Sequence, residues 1–152
     1  MKVVEGKSVV QGKLSHVVGF AAFQKSVIQS NPNVRIDRIR KGIDSQYIIS
    51  VSEHFKVPRE SIARLIGMPP STMNRKLKLK SVLTSAESER LERIAVIEAE
   101  AEDVFGAPDK AKNWMLKSHM TLGSTPLSML DTDIGATEVR RVLNAIAYGG
   151  AA

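Results

Sequence analysis

Cysteine is absent from all 152 residues. That excludes a disulfide framework, a thiolate metal site and a thiol nucleophile. Histidine is scarce, and His16, His54 and His119 stand far apart in the chain, which leaves little for a metal centre. Aromatic residues make up 5 %, too few for the stacking platforms that hold single-stranded nucleic acid. No apolar run approaches the roughly 18 residues a membrane span needs. The first residues lack the apolar h-region of a signal peptide. A soluble, cytoplasmic protein of a reducing compartment is the expectation. What is present is a globular composition, 43 % apolar, in a length that suits one medium domain or two small ones.

The formal charge of +6 hides an asymmetry. Residues 1–80 carry 15 Lys/Arg against 5 Asp/Glu, a net +10, while residues 81–152 carry 7 against 11, a net −4. A basic front half suits a polyanion, because each neutralised phosphate releases counterions. The acidic rear half would repel DNA and points to another task. The simpler alternative is that both halves merely have solvated charged faces.

Residues 1–42 are the least defined region, an arm or a helix. Gly6, Gly12 and Gly19 interrupt Val pairs, while Phe20, Phe23, Val27 and Ile28 have helical spacing and predict a helix over 14–29. Asn31-Pro32-Asn33 should stop it, and Val34, Ile36 and Arg38 then alternate as a short extended piece. Arg35 to Lys41 is a basic stretch that fits phosphate contacts.

From Asp44 the pattern is helical. Tyr47, Ile48, Val51 and Phe55 form one apolar stripe, and Asp44 or Ser45 can cap it. Pro58 opens a second helix with Ile62, Leu65 and Ile66 inward, ending at Gly67. Met68-Pro69 completes a tight turn, and Pro70 opens a third helix with Met73 and Leu77 inward. Ser71, Thr72, Asn74, Arg75, Lys76 and Lys78 occupy its other faces. Two short helices joined by a Gly-containing turn, the second rich in Ser, Thr, Asn, Arg and Lys, make a helix-turn-helix over 43–82. In a major groove, Asn can pair with adenine and Arg can donate twice to guanine. These six residues are the candidate DNA contacts; the alternative is a helical hairpin with a charged outer face.

Thr84 and Glu87 predict a capping box at the start of a helix over 85–105, which Gly106 and Pro108 end. Leu91, Ile94, Ala95, Ala101, Val104 and Phe105 drift along one face, with Glu98, Glu100 and Glu102 mostly outside. This connecting helix, 83–106, either joins a dimer interface or packs within the chain. A helix from Pro108 to about Ser118 follows, with Trp114 and Met115 inward. Thr125 caps a short helix that opens at Pro126, and Thr132 or Asp133 caps a last helix striped by Val139, Val142, Leu143 and Ile146. Tyr148-Gly149-Gly150-Ala151-Ala152 leaves it as a small uncharged tail.

The rear string is specific. Trp114, Leu122-Gly123, the run Thr125 to Thr132, Gly135-Ala136, Val139, Leu143, Ile146 and Tyr148-Gly149 resemble the toxin-binding domain of the Xre/MbcA/ParS antitoxin family. Ser61 to Met68 and Thr72 to Lys76 are similar to that family's helix-turn-helix. The resemblance implies an all-α protein, with an N-terminal Xre-like helix-turn-helix and a small helical toxin-binding domain over 107–152. It implies a type II antitoxin whose rear domain inhibits a RES-domain toxin that degrades NAD, and whose front half binds promoter DNA to repress its own operon. It also implies a homodimer. Two departures stand out. Pro69 stands where relatives often carry a capping Ser, a loss of about 1 kcal/mol, and Ser71 stands where a basic residue is common.

Within that reading, Tyr148, Gly149, Gly150, Ala151 and Ala152 are the candidate toxin contacts, narrow enough to enter a cleft; the alternative is a frayed chain end. Gly123, Gly135, Pro126 and the apolar positions suit structural roles, and Asp131 and Thr132 suit caps. No nucleophile–base set or phosphate loop is present, so no catalytic residue, cofactor or metal is expected and an enzyme is disfavoured. The runner-up function is a stand-alone helix-turn-helix repressor whose rear domain only dimerises.

Overall fold

The computed structural model describes residues 19–149. Among these residues the chain is all-α: α1 (Phe20–Gln29), α2 (Pro32–Lys41), α3 (Tyr47–Phe55), α4 (Arg59–Leu65), α5 (Pro70–Leu79), α6 (Ser85–Phe105), α7 (Pro108–Met115), a 3-10 turn (Leu127–Asp131) and α8 (Asp133–Gly149). No helix among them is long and apolar enough to cross a membrane.

The 21-residue α6 organises everything else. Its start is the predicted capping box. Glu87 N–H donates to Thr84 Oγ1 (3.1 Å), and Thr84 N–H donates to Glu87 Oε1 (2.9 Å). Its end is the predicted glycine, Gly106, in the left-handed region at φ 79°. Along its roughly 31 Å length it packs against α1, α2, α7, α8 and the 3-10 turn. A helix surrounded in this way has little solvent face left. Leu91, Ile94, Ala95, Ile97 and Ala101 are fully buried, and so are Glu92 and Glu98. The expectation that Glu98 lies outside is therefore wrong: it falls four residues after Ile94 and three after Ala95, on the packed face.

The front of the chain also departs from its sequence pattern. Asn31-Pro32-Asn33 starts a helix as well as ending one. Asn31 Oδ1 accepts the Val34 N–H (3.0 Å), and Pro32 takes the first helical position, where it has no N–H to leave unpaired. The short extended piece expected at Val34 and Ile36 is therefore α2, with both side chains exposed. Its periodicity is polar because its inner face carries Arg35 and Arg38, which close on Glu92 at 2.9 Å each. In α1, Phe20, Phe23 and Val27 are buried as expected, but Ile28 is half exposed. Residues 14–18 of the expected helix lie outside the described residues.

The rear of the chain follows its predicted caps. α7 stops at Met115, three residues short of the expected end, with Met115 buried and Trp114 partly so against Phe105 and His119. Thr125 Oγ1 accepts from Ser128 N–H, and Thr132 Oγ1 accepts from Gly135 N–H (2.9 Å). α8 buries Gly135, Ala136, Val139 and Leu143. It continues through Tyr148 and Gly149, so these two residues belong to the helix and not to a tail; Gly150, Ala151 and Ala152 lie outside the described residues.

Candidate nucleic-acid interface

α4 and α5 are joined by Ile66, Gly67, Met68 and Pro69. Gly67 takes φ 80°, which an L side chain resists, and Met68 tucks under the turn at 2 % exposure. Met68 N–H donates back to Ala63 O (2.8 Å), which ties the turn to the preceding helix. At the start of α5, Pro69 supplies no side-chain cap, as its side chain requires.

On α5 the buried side is Met73, with Leu77 half buried. Opposite them Ser71, Asn74, Arg75 and Lys78 are exposed. Their spacing is i, i+3, i+4, i+7, a single stripe along the helix. Thr72 and Lys76 flank it and are half buried. Of the six predicted contacts, four therefore share one outward face. Lys76 is held differently: its ammonium lies 3.1 Å from Glu87 Oε1, with the side chain 16 % exposed.

Several groups that the sequence does not advertise fix this helix in place. The last carbonyls of a helix have no partner within it. Ser45 Oγ donates to Lys76 O (3.1 Å) and Gln46 Nε2 donates to Leu77 O (2.9 Å). Leu83 N–H reaches Ile43 O (2.8 Å), which closes the loop after α5 onto the start of α3. From α6, Arg90 Nη1 donates to Ile66 O (3.2 Å) in the turn itself. Glu87 serves twice, as half of the capping box and as the partner of Lys76. The outward face of α5 is thus presented by a helix anchored at its turn, its side and its end. Pairing partners this distant cannot be read from local spacing; only the capping role of Glu87 could.

The basic stretch of α2 divides. Arg35 and Arg38 are used internally on Glu92, while Arg40 and Lys41 are exposed. A second internal pair joins His54 Nε2 and Glu98 Oε2 at 2.8 Å. Burial pushes the Glu98 carboxyl above its ordinary range, and the His54 hydrogen bond pulls it partway back. Three rear-half carboxylates, Glu87, Glu92 and Glu98, are therefore buried against front-half cations or His54. Setting those three aside, the −4 of residues 81–152 becomes −1.

The outer side of α8 carries its own stripe. Ile134, Thr137, Arg141, Asn144 and Tyr148 are exposed at spacings of three, four, three and four. Ile134 and Tyr148 are 78 % and 88 % exposed, large apolar surfaces with no cover among the described residues. α8 is held to α6 by a bidentate contact from Arg140 to Glu100 (3.0 to 3.2 Å).

Comparison with known proteins matches this division. Residues 34–96 match the antitoxin Xre-like helix-turn-helix domain, and residues 100–149 match the antitoxin Xre/MbcA/ParS C-terminal toxin-binding domain. The protein named Antitoxin Xre from Pseudomonas putida is 36 % identical over 116 residues, which cover 74 % of this chain and 70 % of that one. The chain belongs to the Xre antitoxin family. Antitoxin Xre of Yersinia enterocolitica is 31 % identical over 122 residues, 79 % of this chain and 82 % of its own. A Sphingobium protein named Prs ADP-ribosylating antitoxin is 25 % identical over 135 residues, 82 % of this chain and 85 % of its own. The chain thus carries a DNA-binding helix-turn-helix domain followed by a toxin-binding domain. α1 precedes both matched segments, yet it supplies Phe20, Phe23 and Val27 to the shared core.

Proposed function

We propose that this chain is the antitoxin of a type II pair in the cytoplasm, and that it silences a RES-domain toxin by covering the cleft in which that enzyme degrades NAD. In the same reading it binds its own promoter as a homodimer and represses the operon. The observation that carries the second half is the outward stripe Ser71, Asn74, Arg75 and Lys78 on an anchored helix. Asn74 and Arg75 suit base edges and Lys78 suits phosphate. Thr72 and Lys76 stand at the edge of the contact, with Lys76 already tied to Glu87. Pairing of two chains gives two recognition helices about one duplex turn apart, roughly 34 Å. Leu79 and Val82, both more than half exposed beside α5, are apolar surface available for that pairing.

For the toxin, the support is the exposed face of α8 that ends at Tyr148. A dinucleotide cleft is expected to be electropositive, but the rear half keeps a net charge of only −1 once its three internal carboxylates are set aside. Steering by charge is therefore modest, and affinity rests on a few buried anchors. Ile134 and Tyr148 are the candidates on α8, with Gly149, Gly150, Ala151 and Ala152 entering the cleft beyond them. The Sphingobium relative's name, Prs ADP-ribosylating antitoxin, supports a second toxin class, one that transfers ADP-ribose. Both chemistries consume NAD, so the same plug serves either.

The deciding experiment pairs two variants. Deletion of residues 148–152 should restore NAD breakdown by the co-expressed toxin while promoter binding persists. Arg75→Glu should do the reverse. Full inhibition by the truncated chain refutes occlusion by this end of α8, and promoter binding that survives Arg75→Glu refutes the recognition-helix assignment. A stand-alone repressor would leave the co-expressed toxin unbound in both cases.

A further inference from the structure

Away from both binding faces, α1, α3 and α6 enclose a cluster of N and O donors. His54 of α3 and Glu98 and Glu102 of α6 bring one ring nitrogen and two carboxylate oxygens within 4.8 Å of one another. Glu98 and Glu102 are one helical turn apart, so their carboxylates stack on one side of α6. Glu98 is fully buried. Its Oε2 meets His54 Nε2, but its Oε1 is buried with no hydrogen-bond partner among the described residues. A buried carboxylate oxygen left bare is costly, because burial strips its water and returns nothing. Gln24 Nε2 from α1 lies 3.5 Å from Glu102 Oε2 and 3.2 Å from Ala95 O, and the Phe20 ring stacks on His54 at 4.0 Å. The His54 side chain is 17 % exposed, which leaves an approach from solvent.

We propose that His54, Glu98 and Glu102 form a binding site for a divalent first-row transition cation such as zinc. One imidazole and two carboxylates make a mixed N/O donor set that such ions accept and that magnesium, which prefers oxygen and water, does not favour. With bonds of about 2.1 Å, tetrahedral ligand atoms sit roughly 3.4 Å apart. The widest separations, up to 4.8 Å, therefore shorten by about 1.4 Å on binding, the 2.8 Å contact of His54 with Glu98 opens by about 0.6 Å, and water fills the fourth position. The ion takes the place of the proton between His54 and Glu98, and it gives the buried Glu98 carboxylate, one oxygen of which has no partner among the described residues, a ligand bond. Gln24 steadies the outer ligand, as second-layer hydrogen bonds commonly do. Lys112 of α7 also faces Glu98, so the two carboxylates and this ammonium leave a net negative charge for the cation. Bound there, the ion ties α3, which leads into the helix-turn-helix, to α6. This inference does not depend on the toxin or promoter reading. Local spacing gives no sign of the site, because His54 and Glu98 are 44 residues apart and meet only in the fold.

The test uses the full chain without an affinity tag, stripped with chelator and dialysed against zinc chloride in a tenfold excess of magnesium. One equivalent of zinc should be retained, with a higher melting temperature than the stripped protein. Glu98→Gln and Glu102→Gln keep side-chain shape and should each weaken uptake by at least about tenfold. Glu102 is partly exposed, so its variant keeps the test open should Glu98→Gln fold poorly. His16→Gln with His119→Gln should leave uptake unchanged. Absence of zinc uptake, unaltered uptake in both Glu variants, or loss of uptake in the His16/His119 variant each overturns the site.

Discussion

Replacing Gly135 by Ala adds one methyl group where the fold has no room for it. An ideal Cβ at Gly135 would penetrate the Met129 carbonyl oxygen, and it would lie 2.9 Å from Met129 C and 3.0 Å from Thr132 Oγ1. The first two neighbours are backbone of the 3-10 turn and cannot rotate aside. The first turn of α8 must therefore lift by roughly 1 Å or more. Two losses follow. The Gly135 N–H to Thr132 Oγ1 cap, 2.9 Å, is stretched, which costs about 1 kcal/mol. The packing of Ala136, Val139 and Leu143, each at most 2 % exposed, loosens, which costs a further 1–3 kcal/mol as overpacking commonly does. The expected destabilisation is about 2–4 kcal/mol, read as a fall in the urea midpoint by far-UV circular dichroism. Gly123 supplies the contrast. It has φ 75° but nothing within 4 Å of the place a methyl would occupy, so Gly123→Ala should cost only about 1 kcal/mol, through backbone strain alone. Should the two variants unfold at the same midpoint, or Gly135→Ala lie within about 0.5 kcal/mol of the parent, steric exclusion at Gly135 is refuted.

Glu92→Gln removes a carboxylate that is 1 % exposed from between two guanidinium groups about a third exposed. Because Arg35 and Arg38 can turn toward water, the loss should fall below the usual range for a fully buried pair, at roughly 2–3 kcal/mol; a double-mutant cycle with Arg38→Gln should show coupling of at least about 1 kcal/mol. Gly67→Ala puts a methyl 2.6 Å from Arg90 Nη1 at φ 80° and should weaken promoter binding in a gel-shift assay while costing about 2 kcal/mol, strain plus the lost Arg90 bond. Thr84→Ala breaks half the capping box and should cost about 1 kcal/mol in a thermal melt with the core spectrum unchanged.

The parts of this fold that were legible in the sequence are those set by neighbours within a turn. The capping box at Thr84, the left-handed stops at Gly67 and Gly106, and the caps at Thr125 and Thr132 each involve residues at most four apart. The inward positions Met73 and Met115 followed from helical spacing. What escaped depended on contacts made across the chain. Glu98 looks solvent-facing because a carboxylate usually is; only the packing of α1, α3 and α7 on that stretch of α6 buries it. α2 looked extended because its inner face holds arginines, and their partner is Glu92, 57 and 54 residues away. The split of the α5 residues between an outward stripe and flanking positions was implicit in the 3.6-residue period. The binding of Lys76 by Glu87 was not.

α6 touches both functional halves directly: Glu87 and Arg90 brace the DNA-reading unit, while Arg93, bonded to Leu130 O at 3.0 Å, and Glu100 brace the other. A single unbroken helix leaves no hinge between them. In the proposed reading, a partner docked on α8 is therefore carried at a constant bearing from the double helix, as by the arm of a jig. In the proposed pairing of two chains on one operator, that bearing alone would dictate whether two bound toxins fit side by side or collide.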